Sequence, residues 1–294
     1  MNVLMDLWQV QEMRTALVVG STVAVATACI GVFTVLRGQS FAGHSLTDLA
    51  SVGGSAAYLL GVNQLWGFLA ASVLAGLGMH AIGIERIRGR DVATGIVLAT
   101  GMGFTSLFIT LSMTGNSGGS AAVSVLFGSL FAINPRTVPL ICVLALISII
   151  AMALIWRPAL FVTVSPQLAH ANGVRNGFIN ASFMCILGIG VALGSISVGA
   201  ILSTALLIGP ASCGLILARR MRDAIAAAAG VGVVSVWVGV IVSYESYHWT
   251  GGQSWSVSFC IVALILMMYL ICRVLRSLGL VNAAAGRKAG VAHV

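Results

Sequence analysis

No feature constrains this chain more than its nine long apolar stretches, which run over residues 15–36, 44–60, 65–84, 92–111, 137–156, 177–196, 198–218, 224–244 and 256–274. Each approaches the ~20 residues that a helix needs to cross the core of a bilayer. Hydrocarbon offers no partner to a backbone amide, so such segments span as helices that bond within themselves. Composition agrees: 7% of the 294 residues are charged, where soluble domains carry about 25%. The 35 glycines suit close helix packing in lipid. The expected architecture is an all-α polytopic transmembrane bundle of about eight to nine spans, which excludes a soluble domain and a disordered chain.

The short connectors set the expected topology. Basic residues gather at Arg86, Arg88 and Arg90, between Arg157 and Arg175, at Arg219, Arg220 and Arg222, and at Arg273 and Arg276 with Arg287 and Lys288. An even number of apolar stretches separates each group from the next, so all four fit the cytoplasmic side together. Counting back puts Arg37 inside, the amino terminus outside and the carboxyl terminus inside. The net charge of +8 therefore reads as topology, and no nucleic-acid partner is expected. The start of the chain, with Asp6 and Glu12, lacks a basic region and a cleavage site, so the first helix is expected to be retained.

Residues 1–279 read as one transmembrane domain, and 280–294 as a mobile cytoplasmic tail. The second apolar stretch begins with polar residues directly after Gly38, Gln39 and Ser40, and reads either as a crossing or as a re-entrant segment. Between Ser112 and Pro135 a Gly/Ser loop, 114–120, precedes a short apolar piece, 123–133, expected outside as an interfacial or re-entrant half-helix. No GK[ST] phosphate loop occurs anywhere in the chain, so ATP would have to bind another subunit. The six cysteines stand alone in apolar runs and read as small hydrophobes.

Asp48 is the one acid inside a long apolar stretch, and His44 precedes it by four residues. An acid near the bilayer centre costs roughly 2.5–3.5 kcal/mol on insertion scales, so it marks a pathway or a partner. Residues four apart on a helix share a face. Imidazole with carboxylate suits Zn²⁺ or Mn²⁺, whereas Mg²⁺ and Ca²⁺ prefer oxygen alone. On the residues alone the pair fits metal ligation and an internal ion pair equally well. His80, His170, His248 and His293 lie near span ends, in connectors or in the tail, where interfacial or solvent-facing roles suffice.

Two further segments carry local signals. In the connector 161–176, Ser165 suits an N-cap, Pro166 the first helical position and Gly173 a C-terminal cap, which predicts a short helix of about two turns. It serves either as a docking surface or as a plain link between spans. In the seventh stretch Pro210 predicts a kink beside small residues that include Gly199 and Ser203, on either a pore-side or a packing helix.

Four blocks resemble the ABC-3 group, the permease subunits of ATP-binding-cassette importers for zinc and manganese. Leu36 to Gly43 with the polar helix start resembles that family's Arg-x-x-Ser-Phe-x-Gly-Asp-x-x-x-His segment. Leu126-Phe127-Gly128-Ser129-Leu130 with Pro135 resembles its Leu-Phe-Gly-(Asp/Ser)-Leu piece. Ser165 to Ala169 with Gly173 and Val174 resembles its coupling helix, and Val198 to Ala211 its Val-Gly-x-Leu-Leu-x-x-x-Leu-Leu-x-x-Pro-Ala helix. Three departures stand out. His44 and Asp48 occur in swapped order, Gln167 stands where the coupling helix usually carries an acid, and residues 247–253 replace an Asp-x-Pro-x-Gly loop.

The resemblance implies a permease of a bacterial plasma-membrane importer, not itself an enzyme, that pairs with a second copy of itself as a homodimer. It further implies two ATP-binding subunits that carry the nucleotide, an extracytoplasmic metal-binding protein, and transported Zn²⁺ or Mn²⁺ with no cofactor held by this chain. His44 and Asp48 would be metal ligands; Ser165, Pro166, Gln167, Ala169 and Gly173 would couple to the ATPase; Gly199, Ser203 and Pro210 would belong to a pore or packing helix. The alternative kept open is an ion-coupled secondary metal transporter or channel that acts without an ATPase. Such carriers often show internal repeats and several intramembrane ionisable residues, and this chain shows neither a clear repeat nor a second intramembrane acid.

Overall fold

The fold is that of a computed structural model, which describes residues 11–82, 90–114, 125–128, 130–218, 220–249 and 255–278. Residues 115–120 of the loop expected at 114–120, the tail 280–294 and most of the connector around Arg86 and Arg88 lie outside the described residues. Among the described residues ten α-helices follow in order: α1 (Gln11–Leu36), α2 (Ser40–Leu59), α3 (Gln64–Ile82), α4 (Arg90–Thr114), α5 (Val138–Val164), α6 (Pro166–Ala171), α7 (Asn176–Val198), α8 (Ala200–Leu217), α9 (Met221–Trp249) and α10 (Val257–Ser277). No strand occurs among the described residues.

Eight of these helices are long and apolar enough to cross a membrane, and α2 is not among them. With 20 residues it has the length, at about 1.5 Å per residue, but Ser45, Thr47, Asp48, Ser51 and Ser55 make it too polar to face lipid. It is wrapped instead: α3, α4, α7 and α8 all pack against it. Small residues allow the approach. A methyl group at Gly53 would run into the Gly67 carbonyl of α3, and one at Gly67 into that of Gly53, the close backbone contact that lipid-embedded helices use.

Helices α1 and α7 are the central pillars. Buried residues make up 67% and 72% of their most apolar windows, against 22% for α4 and α5 and 28% for α10, which form the outer wall. One core cluster joins Phe33, Leu46, Phe68, Phe183 and Leu187. A second gathers Val19, Val23, Ile141, Leu193, Val236 and Ile261. On the outside, Leu74, Ile96, Leu154 and Leu266 are exposed, as lipid-facing side chains should be.

Several boundaries differ from the sequence reading, for physical reasons. Helix α5 runs on past Trp156 to Val164, through an internal Pro158. One of the groups that tie down its end is Arg37, which follows α1: Nη2 donates to the Ala159 carbonyl at 3.4 Å, Nε to Thr163 Oγ1 at 3.1 Å and Nη1 to Asn180 Oδ1 at 3.2 Å. The guanidinium also lies 4.5 Å from the Phe183 ring centroid, a cation–π contact. Arg37 thus sits with the ends of α5 and α7 that flank α6, in agreement with a shared side for the two connectors. In the described part of the short apolar piece, Val125 and Leu130 are buried while Phe127 is exposed. Leu130 is buried in the second core cluster, and Ser258 Oγ donates to the Phe127 carbonyl at 2.7 Å.

Candidate metal-binding site

Helix α2 builds the site by confining polar groups to a wrapped helix. Each buried hydroxyl on it finds a partner, and of its buried side-chain polar groups only a carboxylate oxygen does not. Ser45 donates to the Phe41 carbonyl at 3.1 Å, Thr47 to that of Gly43 at 3.0 Å and Ser55 to that of Val52 at 3.0 Å. Ser51 donates to the Asp48 carbonyl at 2.6 Å and meets Thr105 Oγ1 of α4 at 2.6 Å.

Asp48 is the exception. Its Oδ2 is buried and has no hydrogen-bond partner, and the nearest opposite group is His44 Nε2 at 3.9 Å. That separation exceeds the roughly 2.7–3.2 Å of a hydrogen bond, so the two side chains face each other without bonding. A buried carboxylate oxygen left in this state costs several kcal/mol unless something neutralises it. An ion placed about 2.1 Å from both atoms would bridge the 3.9 Å gap at an angle of roughly 135°. About half an ångström of closure would bring the angle to the ~109° of a tetrahedral centre. The pair therefore has the donor types, the spacing and the unsatisfied charge of half a transition-metal site.

It is only half. Among the described residues no group of three or more His, Cys, Asp or Glu side chains comes together. The Asp48 side chain is 5% exposed and that of His44 35%, so the pair is closed on the carboxylate side and open at the imidazole. Gly43, next to His44, packs against Leu207, close to the midpoint of α8.

Helix α8 supplies what the sequence did not reveal. Thr204 Oγ1 lies 3.0 Å from His44 Nδ1 and 3.4 Å from Thr47 Oγ1, and Ser203 Oγ lies 3.5 Å from the same Thr47 oxygen and from Ser195 Oγ of α7. A threonine in an apolar run carries no local signal; its place opposite His44 depends on how α8 crosses α2. Of the pore or packing residues expected on this helix, Ser203 and Pro210 are buried. Gly199 is the one-residue break between α7 and α8, with φ +96°. A side chain there would collide with the backbone of Phe127 and Gly128, which is why glycine is required.

The short connector helix forms as its residues demand. Ser165 Oγ accepts from the Leu168 amide at 3.4 Å, and Pro166 occupies the first turn. At the other end the Val174 amide donates to the Ala169 carbonyl and the Gly173 amide to that of His170, both at 3.0 Å, with Gly173 at φ +79°. This is a Schellman motif. Asn176 Nδ2 ties the helix back to α7 through the Pro166 carbonyl at 2.8 Å. Pro166, Gln167 and His170 are exposed, but Ala169 is fully buried and anchors the helix to the body. The outward apolar groups are Leu168 and Val164, neither of which stood out in the sequence. His80 is partly buried near the end of α3, while His293 and the side chain of His248 lie outside the described residues.

Residues 9–273 match the model of the ABC 3 transport family. Among curated proteins the chain is similar to the manganese transport system membrane protein MntC of Listeria monocytogenes, 27% identical over 238 residues that cover 81% of this chain and 84% of that one. It is also similar to the manganese import system permease protein ScaB of Streptococcus pneumoniae, 25% identical with 81% and 84% covered. Among solved structures the fold resembles PsaBC from Streptococcus pneumoniae, with a TM-score of 0.79 and 20% identity over 94% of this chain and 98% of that one. A second resemblance is to an inward-facing metal-chelate type ABC transporter, with a TM-score of 0.70 and 18% identity over 89% and 85%.

Proposed function

The chain belongs to the ABC 3 transport family, and on that premise we propose that it is the membrane-spanning permease of an ATP-driven importer of divalent transition metal ions. The observation that carries the site assignment is the buried Asp48 Oδ2, unbonded and 3.9 Å from His44 Nε2, on a helix too polar for lipid. The relatives named for manganese transport make Mn²⁺ the first ion to test and Zn²⁺ the second. Family membership favours this reading over a carrier that works without an ATPase.

In this mechanism the permease makes and breaks no covalent bonds. An extracytoplasmic binding protein delivers the ion, and His44 and Asp48 take it from water. Two protein ligands hold an ion loosely, which suits a conduit that must also let go. A second copy of the chain facing the open side of His44 would bring the protein ligands to four. Two ATP-binding subunits dock against α6 on the cytoplasmic side. Their closure moves α6, and through the Schellman turn and the Asn176 clasp it moves the start of α7, which packs on α2. In this reading the amino terminus lies outside and the carboxyl terminus inside a bacterial plasma membrane, as the basic connectors suggest.

The test is ATP-dependent Mn²⁺ and Zn²⁺ uptake into vesicles that hold the permease with its ATPase and binding protein. His44→Ala and Asp48→Ala should each abolish uptake while assembly and ATPase activity persist. Normal uptake in both variants would reduce the pair to a structural contact.

A further inference from the structure

Resting on the metal-path reading of His44, we propose that Thr204 is a positioning residue that fixes the tautomer of His44 and so prepares Nε2 to receive the ion. An imidazole ligates through a nitrogen that carries no proton, and the hydrogen bond made by its other nitrogen decides which one that is. Here the two nitrogens have different surroundings: Nε2 faces the unbonded Asp48 oxygen at 3.9 Å, and Nδ1 faces Thr204 Oγ1 at 3.0 Å.

The surrounding hydroxyls give this contact a direction. Each hydroxyl has one proton to donate. Thr47 donates its own to the Gly43 carbonyl at 3.0 Å, which leaves its oxygen to accept. Thr204 donates to that oxygen at 3.4 Å, which leaves the Thr204 oxygen to accept in turn from Nδ1–H. The series His44, Thr204, Thr47, Gly43 then runs one way, with every proton placed and the Nε2 lone pair aimed at the gap beside Asp48. If Thr204 instead donated to Nδ1, it would forfeit its bond to Thr47. The proton would move to Nε2, too far from Asp48 to bond and in the way of a metal. With the imidazole at position 44, it is the histidine that comes within reach of α8, and α8 offers a hydroxyl there. In the ion-free site a bare nitrogen then faces a carboxylate, an arrangement that a cation relieves.

The experiment uses the complete transporter in vesicles, with Mn²⁺ uptake measured across ion concentrations for wild type, Thr204→Val, Thr204→Ser and His44→Ala. Valine keeps the shape of threonine without the hydroxyl; serine keeps the hydroxyl without the methyl. Thr204→Val should raise KM about tenfold, the lower end of what lost outer-shell partners cost in metal affinity, while kcat stays within about twofold. Thr204→Ser should restore the wild-type KM. Wild-type KM in Thr204→Val, or equal impairment in the serine variant, would overturn the proposal, because the hydroxyl would then be irrelevant. His44→Ala separates the two levels. Abolished uptake there with a silent Thr204→Val sinks the tautomer role alone, whereas unimpaired uptake in His44→Ala sinks the metal-path reading beneath it.

Discussion

Replacing Asp48 by Asn should make the resting transporter more stable and at the same time inactive. The amide is nearly the same size as the carboxylate, so the packing of α2 is kept while the buried charge is removed. Oδ2 has no hydrogen-bond partner, and the imidazole at 3.9 Å does not supply one. A polar group buried in that state costs roughly 1–3 kcal/mol, more when charged. Relief of about 1 kcal/mol corresponds to a rise of roughly 2–4 °C in the unfolding midpoint for a domain of 150–250 residues, so a gain of several degrees is expected in the metal-free complex. Metal should reverse the ranking. At 100 times its Kd a ligand stabilises the native state by about 2.7 kcal/mol, a shift that wild type should show with Mn²⁺ and Asp48→Asn should not. The assay is thermal unfolding of the purified complex, with and without Mn²⁺, alongside uptake in vesicles. A lower midpoint for Asp48→Asn without metal would refute the reasoning, because it would mean that the carboxylate is a satisfied structural pin.

Three further outcomes follow from other parts of the molecule. Leu168→Arg, on the exposed face of α6, should weaken docking of the ATPase and lower metal-stimulated ATP hydrolysis several-fold, while Mn²⁺ still raises the unfolding midpoint; unchanged copurification of the two subunits would contradict it. Gly199→Ala should cost about 1–3 kcal/mol from backbone strain alone, and more from collision with Phe127 and Gly128, which expression yield and thermal unfolding will report. Uptake should weaken in acid, because a protonated imidazole cannot ligate; a flat pH profile, with the ATPase shown to be unaffected, would argue against His44 as a ligand.

The residues that declared themselves in the sequence did so through local rules. Ser165, Pro166 and Gly173 announced a capped helix, and each occupies the expected position in α6. His44 and Asp48, one helical turn apart, were bound to be neighbours once α2 formed. The apolar stretches matched nine long helices, because the length of a span is set by the bilayer rather than by any tertiary partner. The reading was weakest where the second stretch begins, since a helix with so many hydroxyls is stable in a membrane only if other helices cover it. Whether they do is not a property of that segment. Ala169 showed the same limit: composition placed it on a connector helix, but only packing revealed that it is the face turned inward.

Sequence alone, then, determined the class of the protein, its helices and the chemistry of its candidate ligands, because hydropathy, capping and four-residue spacing act over a few turns of a single chain. The tertiary structure decided what those ligands face. It wrapped α2, left Asp48 Oδ2 without a partner and carried Thr204 from 160 residues away to Nδ1 of His44. Such contacts arise from the crossing of helices packed through small residues, and no local pattern in the chain encodes them.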